Sequence, residues 1–305
     1  RPMNPRHFAL LFGVCLVWGV NFVVAKWSVS GTPAIVPGFE GVPPLFFACV
    51  RFALLYAMLA PWLLPVPKKL GPVIGAGMGM GAVQFALLFI GIHYATPSSI
   101  AIVVQLSVPF TTILSVLFLK EKVGWLRAGG MAMAFAGASL VVLKPAEISF
   151  TVGLLAGVGA AAAAAVGAIF VKRVELTVIP LQAWIGLLSW PPLLIASLMF
   201  ESNQIGAMLD GGWLLLASIV FTVVLVNIFG HGAFFWLLRR HDASLIAPMT
   251  LMAPLIGVIS GVVLLDDPVS WQLVAGGLIA IAGVGIVAAR RSKTLPPETV
   301  IQKPR

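Results

Sequence analysis

Apolar runs of about 18 or more residues, nearly free of charge, recur along the whole chain. A helix through such a run is the structure that closes its own backbone hydrogen bonds across a hydrocarbon core roughly 30 Å thick. Ten runs are read, with approximate limits 7–27, 43–65, 70–92, 97–119, 123–143, 150–171, 180–200, 211–237, 243–265 and 269–289. Hydrophobic residues make up 60% of the chain and charged residues 10%, against about 25% charge in soluble domains. The expected fold class is therefore an all-α membrane protein with ten transmembrane helices. Most connections are short and carry Pro, Gly or Lys, so neighbouring spans run antiparallel. Cys15 and Cys49 both lie inside apolar runs, which excludes a disulfide framework and reads as small core packing.

Orientation follows from the positive charges. With the N-terminus in the cytoplasm, that side collects Arg1, Arg6, Lys68, Lys69, Lys120, Lys122, Arg127, Lys172, Arg173, Arg239, Arg240, Arg290, Arg291, Lys293, Lys303 and Arg305, which is 16 of the 19 basic residues. Lys26 and Lys144 fall near the outer face and Arg51 inside the second run, while Glu40, Glu147, Glu201, Asp210, Asp266 and Asp267 fall outside. Both termini are thus expected to be cytoplasmic. The net charge of +9 is accounted for as orientation signal and leaflet contact, with no need of nucleic acid. Met3 reads as the native start; no cleavable signal pattern precedes the first run, which is expected to direct insertion itself. The tail 291–305, basic and proline-containing, is expected to be disordered and cytoplasmic.

One stretch occurs twice. Ser99 to Glu121 recurs 145 positions later as Ser244 to Asp266, matching Ser99, Pro109, Ser115, Leu119 and Glu121 with Ser244, Pro254, Ser260, Leu264 and Asp266. Trp125 answers Trp271, and Gly129–Gly130 answers Gly276–Gly277. Each half holds five spans, an odd number, so the second copy enters the membrane from the opposite side. The domain reading is a first five-span repeat at 1–145 and a second, inverted one at 146–290.

These residues resemble the drug/metabolite transporter superfamily, specifically ten-span carriers built from two EamA-type repeats. The resemblance rests on VWGVNFVVAK in the first span (Trp18, Gly19, Asn21, Lys26), on Arg51, and on LKEKVGWLRAGGMAMAFAG (Glu121, Gly129, Gly137). It covers nearly the whole chain. Asp266 stands where the second repeat commonly has glutamate, and Ile169 where the first span has Asn21. Similar members, including amino acid exporters of the YddG type, move amino acids or related metabolites out of bacteria. The resemblance implies a secondary transporter of the bacterial inner membrane, exporting small metabolites by alternating access, with a nucleotide-sugar or sugar-phosphate exchanger, or a channel, as alternatives. No enzyme is implied: HExxH, GxSxG and an intramembrane carboxylate pair are all missing from the sequence. No cofactor and no metal are expected; the partners are a small-molecule substrate, the lipid bilayer and, if transport is coupled, protons.

Polar side chains inside the runs are costly and so should face the bundle interior. They are Asn21, Gln84, Gln105, Gln182, Asn227 and His231. Trp18 and Asn21 are three apart and Asn227 and His231 four apart, so each pair shares a helix face. Trp18, Asn21, Gln84, Gln105, Asn227, His231 and Arg51 are the expected substrate-binding residues, with interhelical hydrogen bonds as the alternative role. Arg51 lies about eight residues, roughly 12 Å, below the outer boundary. Three readings are open for it: snorkelling outward or towards Glu40, capping carbonyls of a broken helix, or holding a substrate carboxylate. Lys26, nearer the edge, reads as snorkelling. Pro109 and Pro254, each near the middle of its span, are candidate hinges or else static kinks. Gly75, Gly77, Gly79 and Gly81, with Gly153 and Gly157, mark close helix contacts. His231 and His93 are the groups within the spans whose ordinary titration lies near neutral pH, which leaves facilitated export and histidine-coupled export both open. Trp27, Trp62, Trp125, Trp213 and Trp271 read as interface anchors.

Overall fold

A computed structural model describes residues 4–32, 35–119, 123–142, 148–238 and 249–289. The expectations attached to Glu121, Lys144, Glu147, Ser244, most of the cytoplasmic charges and the tail 291–305 lie outside these residues. Among the described residues the structure is helical, without strands. Seven helices are long and apolar enough to cross a membrane, and three shorter apolar helices, Ala128–Val141, Met252–Leu265 and Trp271–Val287, fall on the remaining expected runs.

The helices are α1 (Pro5–Ser30), α2 (Pro44–Leu59), α3 (residues 70–94), α4 (residues 97–119), α5 (Trp125–Val142), α6 (Ile148–Val171), α7 (Val178–Phe200), α8 (residues 212–238), α9 (Met252–Leu265) and α10 (Trp271–Ala289). Their starts follow ordinary capping chemistry. The Asn4 side chain accepts from the N–H of Arg6 (3.0 Å) with Pro5 next to it. Thr96 Oγ1 accepts from the N–H of Ser99 (3.3 Å) ahead of α4, and Ser270 Oγ accepts from that of Leu273 (3.2 Å) ahead of α10.

Two other helix starts are capped from a distance, which no local pattern announced. Glu201, at the end of α7, takes the N–H groups of Leu45 (2.7 Å) and Phe46 (3.0 Å) at the start of α2. Asp267, between α9 and α10, takes the N–H of Ser98 (2.9 Å) and its hydroxyl (2.5 Å) at the start of α4. Each places a carboxylate on the positive end of a helix dipole.

Three helices are interrupted. Met78–Val83 in α3 and Phe221–His231 in α8 wind as π-helix, and Val104–Leu106 in α4 tightens to a 3-10 turn. Thr250 and Leu251 turn just before α9, where the N–H of Ala253 reaches the carbonyl of Thr250 at 3.0 Å. Proline crowds the carbonyl four residues before it, which is Gln105 for Pro109 and Thr250 for Pro254. The 3-10 turn of α4 therefore sits one turn ahead of Pro109, whereas Pro254 lies in the first turn of α9.

α1 packs along α8 and α9, α2 along α7, α3 and α4 along α6, α4 along α9, and α5 along α10. Glycine makes several of these contacts close. On α3, Gly75 and Gly79 abut α6 at Phe170 and Gly167, whereas Gly77 and Gly81 abut α7 at Leu188 and Ser189, so the row of four glycines serves two neighbours in alternation. Gly137 meets Gly276 and Ala280 across the α5–α10 contact. The outer surface carries exposed apolar side chains such as Leu117, Phe118, Leu198, Phe200, Leu216, Val263 and Leu278. Such a band is excessive for a water-soluble fold and fitting for a bilayer. Trp62, Trp125, Trp213 and Trp271 are exposed at helix ends, as expected of interface anchors.

Candidate functional site

Among the described residues Arg51, on α2, is the largest fully buried side chain, with 0% exposure. It neither snorkels nor reaches Glu40. Its Nη2 donates to Asn227 Oδ1 at 2.6 Å, and its guanidinium lies 4.3 Å from the ring centre of Phe85, with Phe52 and Phe89 each at 5.8 Å. Nε and Nη1 have no partner, and neither has Asn227 Nδ2. The capping role imagined for Arg51 belongs instead to Lys26. Its ammonium donates to the carbonyls of Ile92 (2.8 Å), His93 (2.7 Å) and Ala95 (3.1 Å) and so closes the end of α3, where the sequence had suggested snorkelling.

The second group of polar residues meets on the same turn of α8. Trp18 Nε1 donates to the carbonyl of Val226 at 3.4 Å, and His231 Nδ1 lies 3.1 Å from that carbonyl. A carbonyl only accepts, so this nitrogen carries the proton. The Trp18 ring packs on His231 (5.2 Å between ring centres) and on Phe234 (5.4 Å). From α7, Gln182 Nε2 donates to the Asn227 carbonyl at 3.3 Å. A π-turn offsets carbonyls from their α-helical partners, and such turns are frequent at functional sites. Here Val226 and Asn227 offer theirs to side chains of α1, α7 and α8.

The structure thus brings Trp18, Arg51, Asn227 and His231 together around residues 226–231, and adds Gln182. Gln84 precedes Phe85 on α3 and leaves Oε1 buried without a partner; Asn21 does the same with Oδ1 on α1. Gln105 stands apart, half-buried in the 3-10 turn of α4, where the adjacent Leu106 packs with Ala138 and Ala161. Pro109 follows the 3-10 turn of α4, and Pro254 lies in the first turn of α9. His93 lies in the last turn of α3 with Nδ1 2.5 Å from the Val29 carbonyl, away from this group. Phe52, Phe85 and Phe89 could not be told from other apolar residues in the sequence, because nothing in their spacing marks a ring that faces a cation.

Apolar helices of membrane-spanning length, enclosing a desolvated cluster of polar and aromatic side chains, define a multi-pass membrane protein with an interior site. The family follows from comparison with known proteins. The chain belongs to the EamA-like transporter family, whose model matches it twice, over residues 7–143 and 151–289, and hence to the drug/metabolite transporter superfamily. It is 29% identical over 296 residues to a protein of Salmonella typhimurium named "Probable amino-acid metabolite efflux pump", covering 93% of this chain and 95% of that one. The Escherichia coli protein of the same name is 27% identical over the same length, with the same coverage. A "Probable terminal-alkyne amino-acid exporter" of Streptantibioticus cattleyicolor is 26% identical, covering 90% of this chain and 93% of its own. A crystal structure with a TM-score of 0.53 and 17% identity covers 93% of this chain and 96% of that one, a likeness of fold.

Proposed function

We propose that this chain is a secondary transporter that exports amino acids or related metabolites across the bacterial inner membrane by alternating access. Ten helices cross the bilayer as two inverted five-helix repeats, 1–145 and 146–290, with both termini in the cytoplasm. The observation that carries this reading is the pattern of helix contacts. Replacing each helix by the one five places on returns several of the principal contacts, though not all: α2–α7, α4–α9 and α5–α10 map onto themselves, α1–α9 exchanges with α4–α6, and α3–α6 exchanges with α1–α8, whereas α4–α10 and α1–α3 lack a counterpart of like extent among the described residues. The π-turns obey the same shift, since they fall in α3 and α8. The double match of the family model supports it too. Two halves related by an axis in the membrane plane can exchange conformations, which opens one face as the other closes.

Trp18, Arg51, Asn227 and His231 form the heart of the substrate site, with Asn21, Gln84 and Gln105 as further polar contacts, and Pro109 and Pro254 as hinges. Relatives named for amino-acid export support the substrate class. A sugar-phosphate exchanger would want several cations free to meet phosphate, and Lys26 is committed to three carbonyl oxygens. The chain is read as a carrier and not an enzyme. The test is reconstitution in liposomes with labelled amino acids and sugar phosphates at several pH values and membrane potentials. Saturable counterflow of an amino acid is expected. Movement of no amino acid or analogue, or linear unsaturable flux, would refute the reading.

A further inference from the structure

We propose that the Arg51–Asn227 centre is the seat of a substrate carboxylate, so that this transporter selects monoanionic carboxylates and requires the free acid group. The inference rests on the function proposed above and names the chemistry by which its site chooses.

Burying a guanidinium without a counter-charge is expensive, several kcal/mol per ion even after relaxation. Three phenylalanine rings recover part of this through cation–π contacts, and the Asn227 bond adds one charge-assisted hydrogen bond. That leaves Nε and Nη1 unmet. The Asn227 amide has its oxygen turned to Arg51; the opposite orientation would set donor against donor, so Nδ2 is a third buried donor without an acceptor beside the first two. Every unmet group on Arg51 and Asn227 is a donor, attached to or next to a fixed positive charge. An anion is the ligand such a set fits.

The protein's own acids are employed elsewhere. Glu201 holds the start of α2 through Leu45 and Phe46, and Asp267 holds the start of α4 through Ser98. Among the described residues of the spans, α1 to α10, the sequence offers no other Asp or Glu at the depth of Arg51. One cation matches one negative charge, and the planar fork of arginine matches a carboxylate. A phosphate dianion would call for a second cation, and Lys26 is occupied. The rings of Phe52, Phe85 and Phe89 around the guanidinium give the rest of the molecule an apolar bed. The centre is closed over here, so the carboxylate reaches it when the helices part, as alternating access requires.

The test uses the full chain in liposomes and in detergent. L-Phenylalanine, L-cysteine and 3-phenylpropanoate are compared with phenylalaninamide, phenylalanine methyl ester and phenethylamine, as competitors of counterflow and as ligands raising the unfolding midpoint. The acids are expected to compete at least about tenfold better than the amide, ester and amine, since these lose a charge-assisted hydrogen bond. Arg51→Gln is expected to erase this preference, and Arg51→Lys, which keeps the charge and loses the fork, to weaken it. Amide and ester competing as well as the acid would overturn the proposal while leaving amino-acid transport intact, and this comparison needs no variant to fold. If no amino acid moves in the wild type, the proposed function fails. The carboxylate centre then stands or falls on stability: 3-phenylpropanoate raising the midpoint of wild type and not of Arg51→Gln upholds it, and no shift in wild type overturns it.

Discussion

Gly79→Ala sets two physical effects against each other. In an exposed helix interior, alanine is better than glycine by about 1 kcal/mol, because glycine loses more backbone freedom on folding. At position 79, however, a Cβ would stand 2.6 Å from both the Cα and the N of Gly167 on α6, and 3.1 Å from the Ala163 carbonyl oxygen. Carbon atoms in contact rest about 3.5–4.0 Å apart, so α3 and α6 would have to separate by roughly 1 Å. The clash is with backbone, so no side chain can rotate away, and the cost lies towards the upper part of the roughly 1–3 kcal/mol range for overpacking. The net expectation is a loss of about 1–2 kcal/mol. Gly13→Ala is the control: on α1 a Cβ meets nothing within 4 Å, and the variant should be neutral or gain up to about 1 kcal/mol. Gly79→Ala with Gly167→Ala should be non-additive, because both residues press on one contact. The assay is unfolding in dodecylmaltoside on titration with dodecyl sulfate, followed by tryptophan fluorescence. If Gly79→Ala is as stable as Gly13→Ala, close approach of α3 and α6 is not what requires glycine there.

Two further expectations concern the breaks and the distant caps. Pro109→Ala and Pro254→Ala should each slow transport more than they weaken substrate binding, measured by flux and by equilibrium binding on the same preparations; equal loss in both would leave the prolines as static kinks. Asp267→Ala strands the N–H of Ser98, which sits at 0% exposure, while the Ser98 hydroxyl keeps the Val258 carbonyl at 3.2 Å, and should cost about 1–3 kcal/mol. Asp267→Asn keeps an acceptor and should cost about 1 kcal/mol or less. In the same unfolding assay, equal stability of wild type and Asp267→Ala would show that this cap contributes nothing.

Much of the helical framework was legible in the chain because its signals are consecutive. The long apolar runs matched helices nearly one for one, and Pro109 lies one turn past the 3-10 turn that interrupts α4. The glycines of α3 could be recognised as contact residues, yet not that alternate ones face α6 and α7. The π-turns of α3 and α8 went unforeseen: Met78–Val83 and Phe221–His231 are composed like any other apolar helix, and their extra residue per turn answers to packing. Asn227 and His231 were marked by their polarity, and Trp18 by its place beside Asn21, but nothing told which of them would meet. Lys26 and Arg51 divided the roles differently from expectation, since the free carbonyls at the end of α3 lie within reach of α1 and not of the buried Arg51.

By itself, then, the sequence determined that the chain forms apolar helices in a bilayer, and it carried the duplication that groups them. In a hydrocarbon core each segment must satisfy its own backbone, so that demand is written into neighbouring residues. The tertiary structure alone decided that Arg51 meets Asn227, 176 positions away, inside a ring of phenylalanines, while Glu201 and Asp267 are spent on the starts of other helices. Contacts of that kind depend on how helices distant in the chain pack side by side. A buried charge without a counter-charge becomes visible only when every neighbour around it is known.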